Sequence, residues 1–261
     1  MENLSNYLIR KKIMNILVVN LGSLVDCFIS SSINHGLIKK YDNPEITWVI
    51  KTEEISKIFK YNPKIKKVYL CSDFITSLQQ SFDLLINLDT LFTSNIKSII
   101  NIKNGMGFNF SDQTENWKEM LYGDKQYSMN QFQFYYKVAG MSWRGEGYDI
   151  AYYPRTKCKR NRLGIGIVNT NLRDYVSNNL FLPNLKKYHI PYKRNILRKM
   201  DEINKCSKII TDDYLMLNMA LSLRKYVYFL QTTPRNFKIE FFRNGEIQNI
   251  SHNIESIFYD K

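Results

Sequence analysis

Short apolar runs alternate with helix-like segments along the first half of the chain, and this alternation limits the folds that it can adopt. Residues 13–19 have the pattern of a buried strand, and a loop over 20–25 leads into a helix predicted from Asp26 to about Lys40. The further predicted elements are strands at 46–50, 68–70, 82–88 and 105–108, and helices at 53–60 and 94–101. This spacing predicts right-handed βαβ crossovers and a parallel sheet, as in a Rossmann-like lobe.

The second half of the chain repeats the alternation after a polar and aromatic stretch over 111–154, in which we predict a helix at 129–139. Residues 155–162 are rich in cations and lack apolar periodicity, which is typical of a linker. The elements predicted beyond it are strands at 163–168, 208–211 and 226–230, and helices at 192–206, 215–223 and 254–259. We therefore divide the chain into an N-terminal lobe (1–154), a basic linker (155–162) and a smaller C-terminal lobe (163–261).

Two lobes of this kind form a cleft where strand ends and helix N-termini meet, and open parallel sheets bind their ligands there. The charge of the chain suggests what kind of ligand. Lys and Arg number 37 against 24 Asp and Glu, a net charge of +13, and residues 155–208 hold 14 basic and 3 acidic side chains. Such an excess favours nucleotide phosphates, phosphorylated glycans, acidic proteins or nucleic acid. A solvated basic surface accounts for it equally well.

The cysteines and histidines give no sign of a disulfide scaffold or a metal centre. Cys27, Cys71, Cys158 and Cys206 lie far apart, and the three histidines are equally scattered. No apolar run approaches the roughly 18 residues of a membrane span, and the first residues lack the features of a secretory signal. These observations predict a cytoplasmic protein, with the inner face of the membrane as a peripheral location.

The first strand and its loop resemble a known family. Residues 16–26, Ile-Leu-Val-Val-Asn-Leu-Gly-Ser-Leu-Val-Asp, are similar to the opening of glycosyltransferase family 9, the bacterial heptosyltransferases: an apolar strand, a Ser/Gly-containing loop and an Asp that leads into the first helix. Further segments follow in the family's order, at 45–49, 62–68, 82–88, 107–108 and 209–220, the last where the family has its Asp-Thr-Gly-Pro-Met-His-Leu-Ala donor motif.

The resemblance implies a GT-B fold and an inverting transfer of a sugar, typically heptose from ADP-heptose, to a glycan or protein acceptor. Asp26 matches the family's general base, which takes a proton from the acceptor hydroxyl as the new bond forms. Asn20, Gly22 and Ser23 form the acceptor-side loop. The residues predicted to face the donor are Asp213, Asn218, Thr232, Arg173 and Thr170. Positive side chains take up the charge of the leaving group, so the expectation is a nucleotide-sugar substrate with no cofactor and no metal.

The chain also departs from the family pattern. Val25 replaces the Gly before the base, and Asn218 replaces the His of the donor motif. The interval between the strand at 163–168 and Tyr192 looks one helix–strand unit too short. These departures leave open a second reading, in which a catalytically silent family member serves as partner or scaffold of an active transferase or a larger assembly. In that reading the aromatic residues, 14% of the chain, favour a homo- or hetero-oligomeric interface.

Asp26 has a purely structural alternative as a helix cap. Nucleic-acid binding is a third functional reading, and we disfavour it, because the chain has charge but no recognised nucleic-acid-binding motif. Its best support is the set of aromatic residues that interleave with cations near 186–194, among them Tyr188 and His189.

Overall fold

The computed structural model describes residues 13–74, 81–90, 101–122, 129–153, 163–168, 187–190, 195–229, 240–243 and 246–249. Five parallel strands form the sheet of the N-terminal lobe, in the order β3-β2-β1-β4-β5. They are β1 (Asn15–Asn20), β2 (Glu45–Ile50), β3 (Ile65–Leu70), β4 (Ser81–Asn87) and β5 (Asn101–Gly107). The direction of chain progression changes between β1 and β4, which is where doubly wound sheets place a ligand crevice.

Helices lie in the first three connections between these strands and follow the last strand. They are α1 (Leu24–Ser30), α2 (Ile33–Lys40), α3 (Glu53–Phe59), α4 (Cys71–Phe74), α5 (Thr114–Tyr122) and α6 (Gln131–Val138). Strand β1 is fully buried from Ile16 to Val19, with alternate residues packed in two hydrophobic clusters on opposite faces of the sheet. A strand covered on both faces has this continuous apolar character.

The C-terminal lobe contains a second parallel sheet, of four strands among the described residues, in the order β7-β6-β8-β9. The strands are β6 (Leu163–Val168), β7 (Lys187–His189), β8 (Cys206–Thr211) and β9 (Tyr226–Phe229), and the helices are α7 (Ile196–Lys205) and α8 (Tyr214–Ser222). An antiparallel hairpin follows, β10 (Glu240–Arg243) with β11 (Glu246–Asn249). Two parallel sheets in sequence confirm the predicted fold class.

The structure corrects the single helix predicted from Asp26 to Lys40. It is divided into α1 and α2 at Ser31 and Ser32, both fully buried. The Ser31 hydroxyl donates to the carbonyl of Phe28 at 2.6 Å, and the Ser32 amide bonds to the carbonyl of Ile29, three residues back. Serine hydroxyls compete with the backbone in this way and interrupt helices.

Other differences concern elements that the sequence pattern did not predict. The interval that looked one helix–strand unit too short contains β7, which pairs in parallel with β6. Helices α4 and α5 and the hairpin were also not predicted. The predicted helix at 254–259, nearly all of that at 94–101 and the whole linker at 155–162 lie outside the described residues. In the part of the chain that the structure describes, no helix is long and apolar enough to cross a membrane.

The two lobes share one hydrophobic core. Helix α1 packs on both α6 and α8, and α3 packs on α7. A single cluster of buried apolar residues contains Phe28 of α1, Phe132 of α6 and Met216 of α8. Helix α1 follows β1 and α8 follows β8, so each begins near the carboxyl end of its preceding strand.

Candidate active site

The loop after β1 is held in place by its own polar side chains. Asn20 is 1% exposed, and its amide nitrogen donates to the Ser30 hydroxyl at 2.9 Å. Its amide oxygen accepts from the backbone N–H of Gly22 at 2.9 Å. A Cβ on Gly22 would lie 2.9 Å from the side chains of both Asn20 and Asp26, so glycine is needed for this close approach.

Asp26 belongs to a capping box at the start of α1. Ser23 is the N-cap residue, and its hydroxyl accepts from the Asp26 amide at 3.2 Å. Oδ2 of Asp26 accepts in turn from the Ser23 backbone N–H at 2.8 Å and from the Ser23 hydroxyl at 2.6 Å. Asp26 is thus the third helical residue rather than the cap itself, and the capping box fixes the direction of its carboxylate.

The other carboxylate oxygen meets the N-terminal lobe's last described helix. The hydroxyl of Tyr135, on α6, donates to Oδ1 of Asp26 at 3.0 Å. Tyr135 is 4% exposed, and burial, with the nearby charge of Asp26, raises its pKa well above the ordinary value. The phenol is therefore a donor. A carboxylate has about four lone-pair sites, so the three hydrogen bonds from Ser23 and Tyr135 leave room for one more donor.

A cavity of about 560 Å³ opens beside the loop that precedes Asp26, at the carboxyl ends of the parallel strands. It is lined by the loop 21–24 after β1, by Lys51 and Thr52 after β2, by Glu54 and Ile55 at the start of α3, and by Asp89 and Thr90 after β4. Asp89 is 7% exposed, and its Oδ2 accepts from the Leu21 amide at 3.0 Å. Ser23, which lines the cavity, donates hydrogen bonds from its backbone N–H and its hydroxyl to Oδ2 of Asp26, so the carboxylate is one residue contact away from the lining.

The sequence reasoning missed Lys51 and Asp89. Each directly follows a predicted strand, Lys51 the strand at 46–50 and Asp89 the strand at 82–88. That position was the available signal. It also missed Tyr135, 109 residues from Asp26 in the chain, which no local pattern connects to the loop.

On the C-terminal lobe, Asp213 is the N-cap of α8, and its Oδ1 accepts from the Met216 amide at 2.8 Å. Asn218 is 3% exposed; its side-chain nitrogen donates to the carbonyl of Tyr214, and its oxygen accepts from the Tyr148 hydroxyl at 2.7 Å. Asn218 thus bonds to the N-terminal lobe in this structure. Arg173, Thr170 and Thr232, also predicted to face the donor, lie outside the described residues.

A second contact between the lobes lies at the start of α7. Oε1 of Glu54, which lines the 560 Å³ cavity, accepts from the backbone N–H of Ile196 at 3.1 Å. Helix N-termini attract anions, because their first N–H groups lack partners within the helix. A carboxylate of the N-terminal lobe occupies that place here.

The aromatic residues considered for nucleic-acid stacking are engaged within the lobe. The hydroxyl of Tyr188 donates to Oε2 of Glu202 at 2.6 Å, and Tyr188 packs against the shared core. Its neighbours at 191–194 lie outside the described residues.

Comparison with known proteins gives no match to a family model and none among curated proteins. Solved structures, however, are similar over most of the chain. The glycosyl transferase family 9 structure from Veillonella parvula has a TM-score of 0.63 at 15% identity, covering 83% of this chain and 80% of its own. The Escherichia coli heptosyltransferase WaaC with ADP has a TM-score of 0.57 at 11% identity, covering 86% and 89%.

A third similar structure corrects the expectation that no metal or cofactor is involved. It is the dodecameric glycosyltransferase TibC of Escherichia coli, described as iron-containing, with a TM-score of 0.52 at 10% identity, covering 84% of this chain and 59% of its own. An absence of metal therefore cannot be read from a resemblance to these enzymes. Among the residues described for the present chain, no group of three or more His, Cys, Asp and Glu side chains could hold a metal ion.

At these TM-scores, and over more than four fifths of the chain, the similarity extends across both parallel sheets described above. The chain therefore has the two-lobed GT-B fold of the family 9 glycosyltransferases, as the resemblance in its sequence predicts.

Proposed function

We propose that this protein is an inverting glycosyltransferase that moves a sugar from a nucleotide-sugar donor to an acceptor hydroxyl, with Asp26 as the general base. The observation that carries the proposal is the Asp26 carboxylate. It lies in the first turn of α1, after the loop that follows β1, is oriented by Ser23 and Tyr135, and keeps one lone-pair site for a further donor. An acceptor hydroxyl is a weak nucleophile, and a carboxylate in hydrogen-bond reach takes its proton as the glycosidic bond forms.

The 560 Å³ cavity beside Ser23 is the acceptor site in this proposal. Its polar lining, Lys51, Glu54 and Asp89, suits a hydroxyl-rich glycan or a polar protein segment. Its volume falls in the range of roughly 300–1,000 Å³ that is usual for small-ligand sites.

The donor binds on the side of the C-terminal lobe, near the N-terminus of α8. Asp213 and Asn218 belong to this helix, and Arg173, Thr170 and Thr232 are assigned to the same site from the sequence alone. WaaC has been solved with ADP and TibC with ADP-D-β-D-heptose. ADP-heptose is therefore the first donor to test.

A second candidate function is a catalytically silent partner or scaffold. It is favoured by two contacts that join the lobes at residues assigned to the substrates: Tyr148 bonded to the side chain of Asn218, and Glu54, which lines the 560 Å³ cavity, bonded to the first amide of α7.

The experiment combines donor binding with a slow side reaction that needs no known acceptor. Calorimetry with a panel of nucleotide sugars, ADP-heptose included, identifies the donor, and release of the nucleotide reports transfer of the sugar to water. General-base catalysis contributes roughly 10²–10⁴-fold. Asp26→Asn should therefore bind the donor as the native protein does and release nucleotide at least about 100-fold more slowly.

Asp112→Asn is the matched control, because it removes an exposed carboxylate from a turn before α5, away from the cavity. It should behave as the native protein. Equal release rates for Asp26→Asn and the native protein would refute the role of Asp26. Absence of binding to every donor would favour the silent partner instead.

A further inference from the structure

A second and larger cavity, of about 710 Å³, lies at the opposite end of the contact between the lobes. Its walls are α2, the loop 144–148 and the C-terminal end of α8. Helices α1 and α8 begin at the carboxyl ends of their preceding strands, near Asp26 and Asp213. Lys39 and Arg224, in contrast, come just before the next strands begin, so this cavity lies at the other edge of both sheets.

The charged residues that line this cavity have a positive balance. Among the described residues they are Lys39, Arg144 and Arg224 against the single carboxylate of Glu146. Lys39 pairs with Glu146 at 2.9 Å. No ion pair within the described part of the chain involves the guanidinium of Arg144 or of Arg224. One arginine from each lobe thus lines the cavity without an ion-pair partner among the described residues.

The negative charge of Glu146 is balanced within the wall of the cavity, because both of its carboxylate oxygens already accept hydrogen bonds. Oε1 accepts from the Lys39 ammonium at 2.9 Å, and Oε2 accepts from the backbone N–H of Arg144 at 2.7 Å. Its side chain is 8% exposed. These bonds hold the loop that carries Arg144, and so they fix the backbone position from which its side chain extends.

The glycines of the loop leave space in the cavity. Gly145 has φ +95°, a conformation that favours glycine, and a Cβ on either Gly145 or Gly147 would meet no atom within 4 Å. At Gly145 and Gly147 the loop therefore has no side chain that would take up this space.

Arg224 is held in a conformation that costs free energy. It follows α8 with φ +54°, its amide bonds to the carbonyl of Leu221, and the next amide bonds to that of Ala220. Helices commonly end this way with glycine, because a Cβ is unfavourable in the left-handed region. Residues kept in such conformations are found disproportionately at functional sites. Here the residue in place of glycine adds a guanidinium to the cavity.

We propose that this cavity is a second ligand site, which binds a small phosphate-bearing anion between Arg144 of one lobe and Arg224 of the other. Guanidinium groups bind phosphate oxygens in pairs and remain charged at every physiological pH. The bound anion contacts both lobes and therefore stabilises the arrangement in which they pack together. The site does not depend on the proposed transferase activity, because it lies at the edge away from Asp26.

The test uses the full chain and inorganic pyrophosphate, without divalent cations and at constant ionic strength. Isothermal titration calorimetry should show saturable binding to the native protein, weakened at least tenfold in Arg144→Gln and in Arg224→Gln. Arg224→Gly provides the sharper variant. It should raise the thermal unfolding temperature or leave it unchanged, since glycine suits the backbone there, and still lose the affinity.

Lys118→Gln is the control, because it removes a cation from α5 that does not line the cavity. It should bind pyrophosphate as the native protein does. Binding that survives both arginine substitutions would place the anion elsewhere and overturn the proposal. A native protein that shows no saturable binding would overturn it as well.

Discussion

The Tyr135 hydroxyl lies 3.0 Å from Oδ1 of Asp26 and donates a hydrogen bond to it, although the two residues are 109 positions apart in the chain. This bond joins α6 to the first turn of α1. The carboxylate is consequently oriented from two directions, by its own capping box on one oxygen and by a buried phenol on the other.

Tyr135→Phe removes the hydroxyl and keeps the ring. A hydrogen bond contributes about 1 kcal/mol net, so we expect the free energy of unfolding to fall by about that amount. Loss of one orienting contact on a general base should lower nucleotide release by about tenfold, since small displacements are costly in catalysis. Urea denaturation and the release assay measure the two effects.

Tyr136→Phe is the matched control for this substitution. Its hydroxyl donates to the carbonyl of Ser32 at 2.8 Å, it is equally buried, and it has no bond to Asp26. The stability loss should be similar and the release rate unchanged. If both variants lose activity alike, the Tyr135 contact is structural only.

Ser23→Ala tests whether the N-cap of α1 acts mainly on the stability of the helix or on the reaction. The N-cap hydroxyl is lost, which typically costs about 1 kcal/mol of stability. The Asp26 carboxylate keeps its bonds from the Ser23 backbone and from Tyr135, so nucleotide release should fall only a few-fold. A loss as large as that of Asp26→Asn would mean that the turn, rather than the carboxylate, limits the reaction.

The bond between Tyr148 and Asn218 offers a test of the donor assignment. Burial raises the pKa of Tyr148 well above its ordinary value, so its hydroxyl remains a donor across the neutral range. Tyr148→Phe should reduce the free energy of unfolding by about 1 kcal/mol and leave the donor affinity unchanged. Asn218→Ala should weaken donor binding if the residue faces the nucleotide sugar. Equal donor affinity for Asn218→Ala and the native protein would assign Asn218 to the packing of the lobes.

His35 makes the stability of the fold depend on pH. Burial lowers its pKa below the ordinary value, Asp149 acts in the opposite direction, and Lys64, whose ammonium lies 2.9 Å from Nδ1, lowers it further. The unfolded chain therefore binds a proton at a pH where the folded protein does not, and stability is lost as the pH falls below about 6.5. The slope is at most about 1.4 kcal/mol per pH unit for one proton.

Chemical denaturation at several pH values between about 5.5 and 7.5 measures this slope. In His35→Gln the slope should be flatter, whatever the absolute stability of the variant. Parallel slopes for the two proteins would assign the pH dependence to other groups.

Periodicity predicted the elements whose burial is uniform. Strands β1, β2 and β4 are apolar on both faces, and the predicted positions agree with the described ones to within one or two residues. The resemblance to family 9 placed Asp26 in the first turn of α1 and Asp213 at the start of α8, and the structure has both there. Their roles in catalysis and donor binding remain predictions.

Contacts made at long range could not be predicted in the same way. At the break, the Ser31 hydroxyl bonds to the carbonyl of Phe28 and the Ser32 amide to that of Ile29, contacts that an apolar pattern does not record. The packing of α1 on α8, and the Tyr148–Asn218 bond beside it, depend on how two sheets approach each other. The local propensity of the sequence carries no information about how the two sheets pack together.

The common core of the two lobes has a consequence for how the chain folds and unfolds. Phe28 of α1 and Met216 of α8 belong to the same cluster of buried apolar residues, almost 190 positions apart. During synthesis the first lobe emerges before its partner exists, and the outer face of α1 stays in contact with water until α8 arrives. The finished protein should therefore melt in one calorimetric transition, and a chain ended before residue 163 should be prone to aggregate through that face.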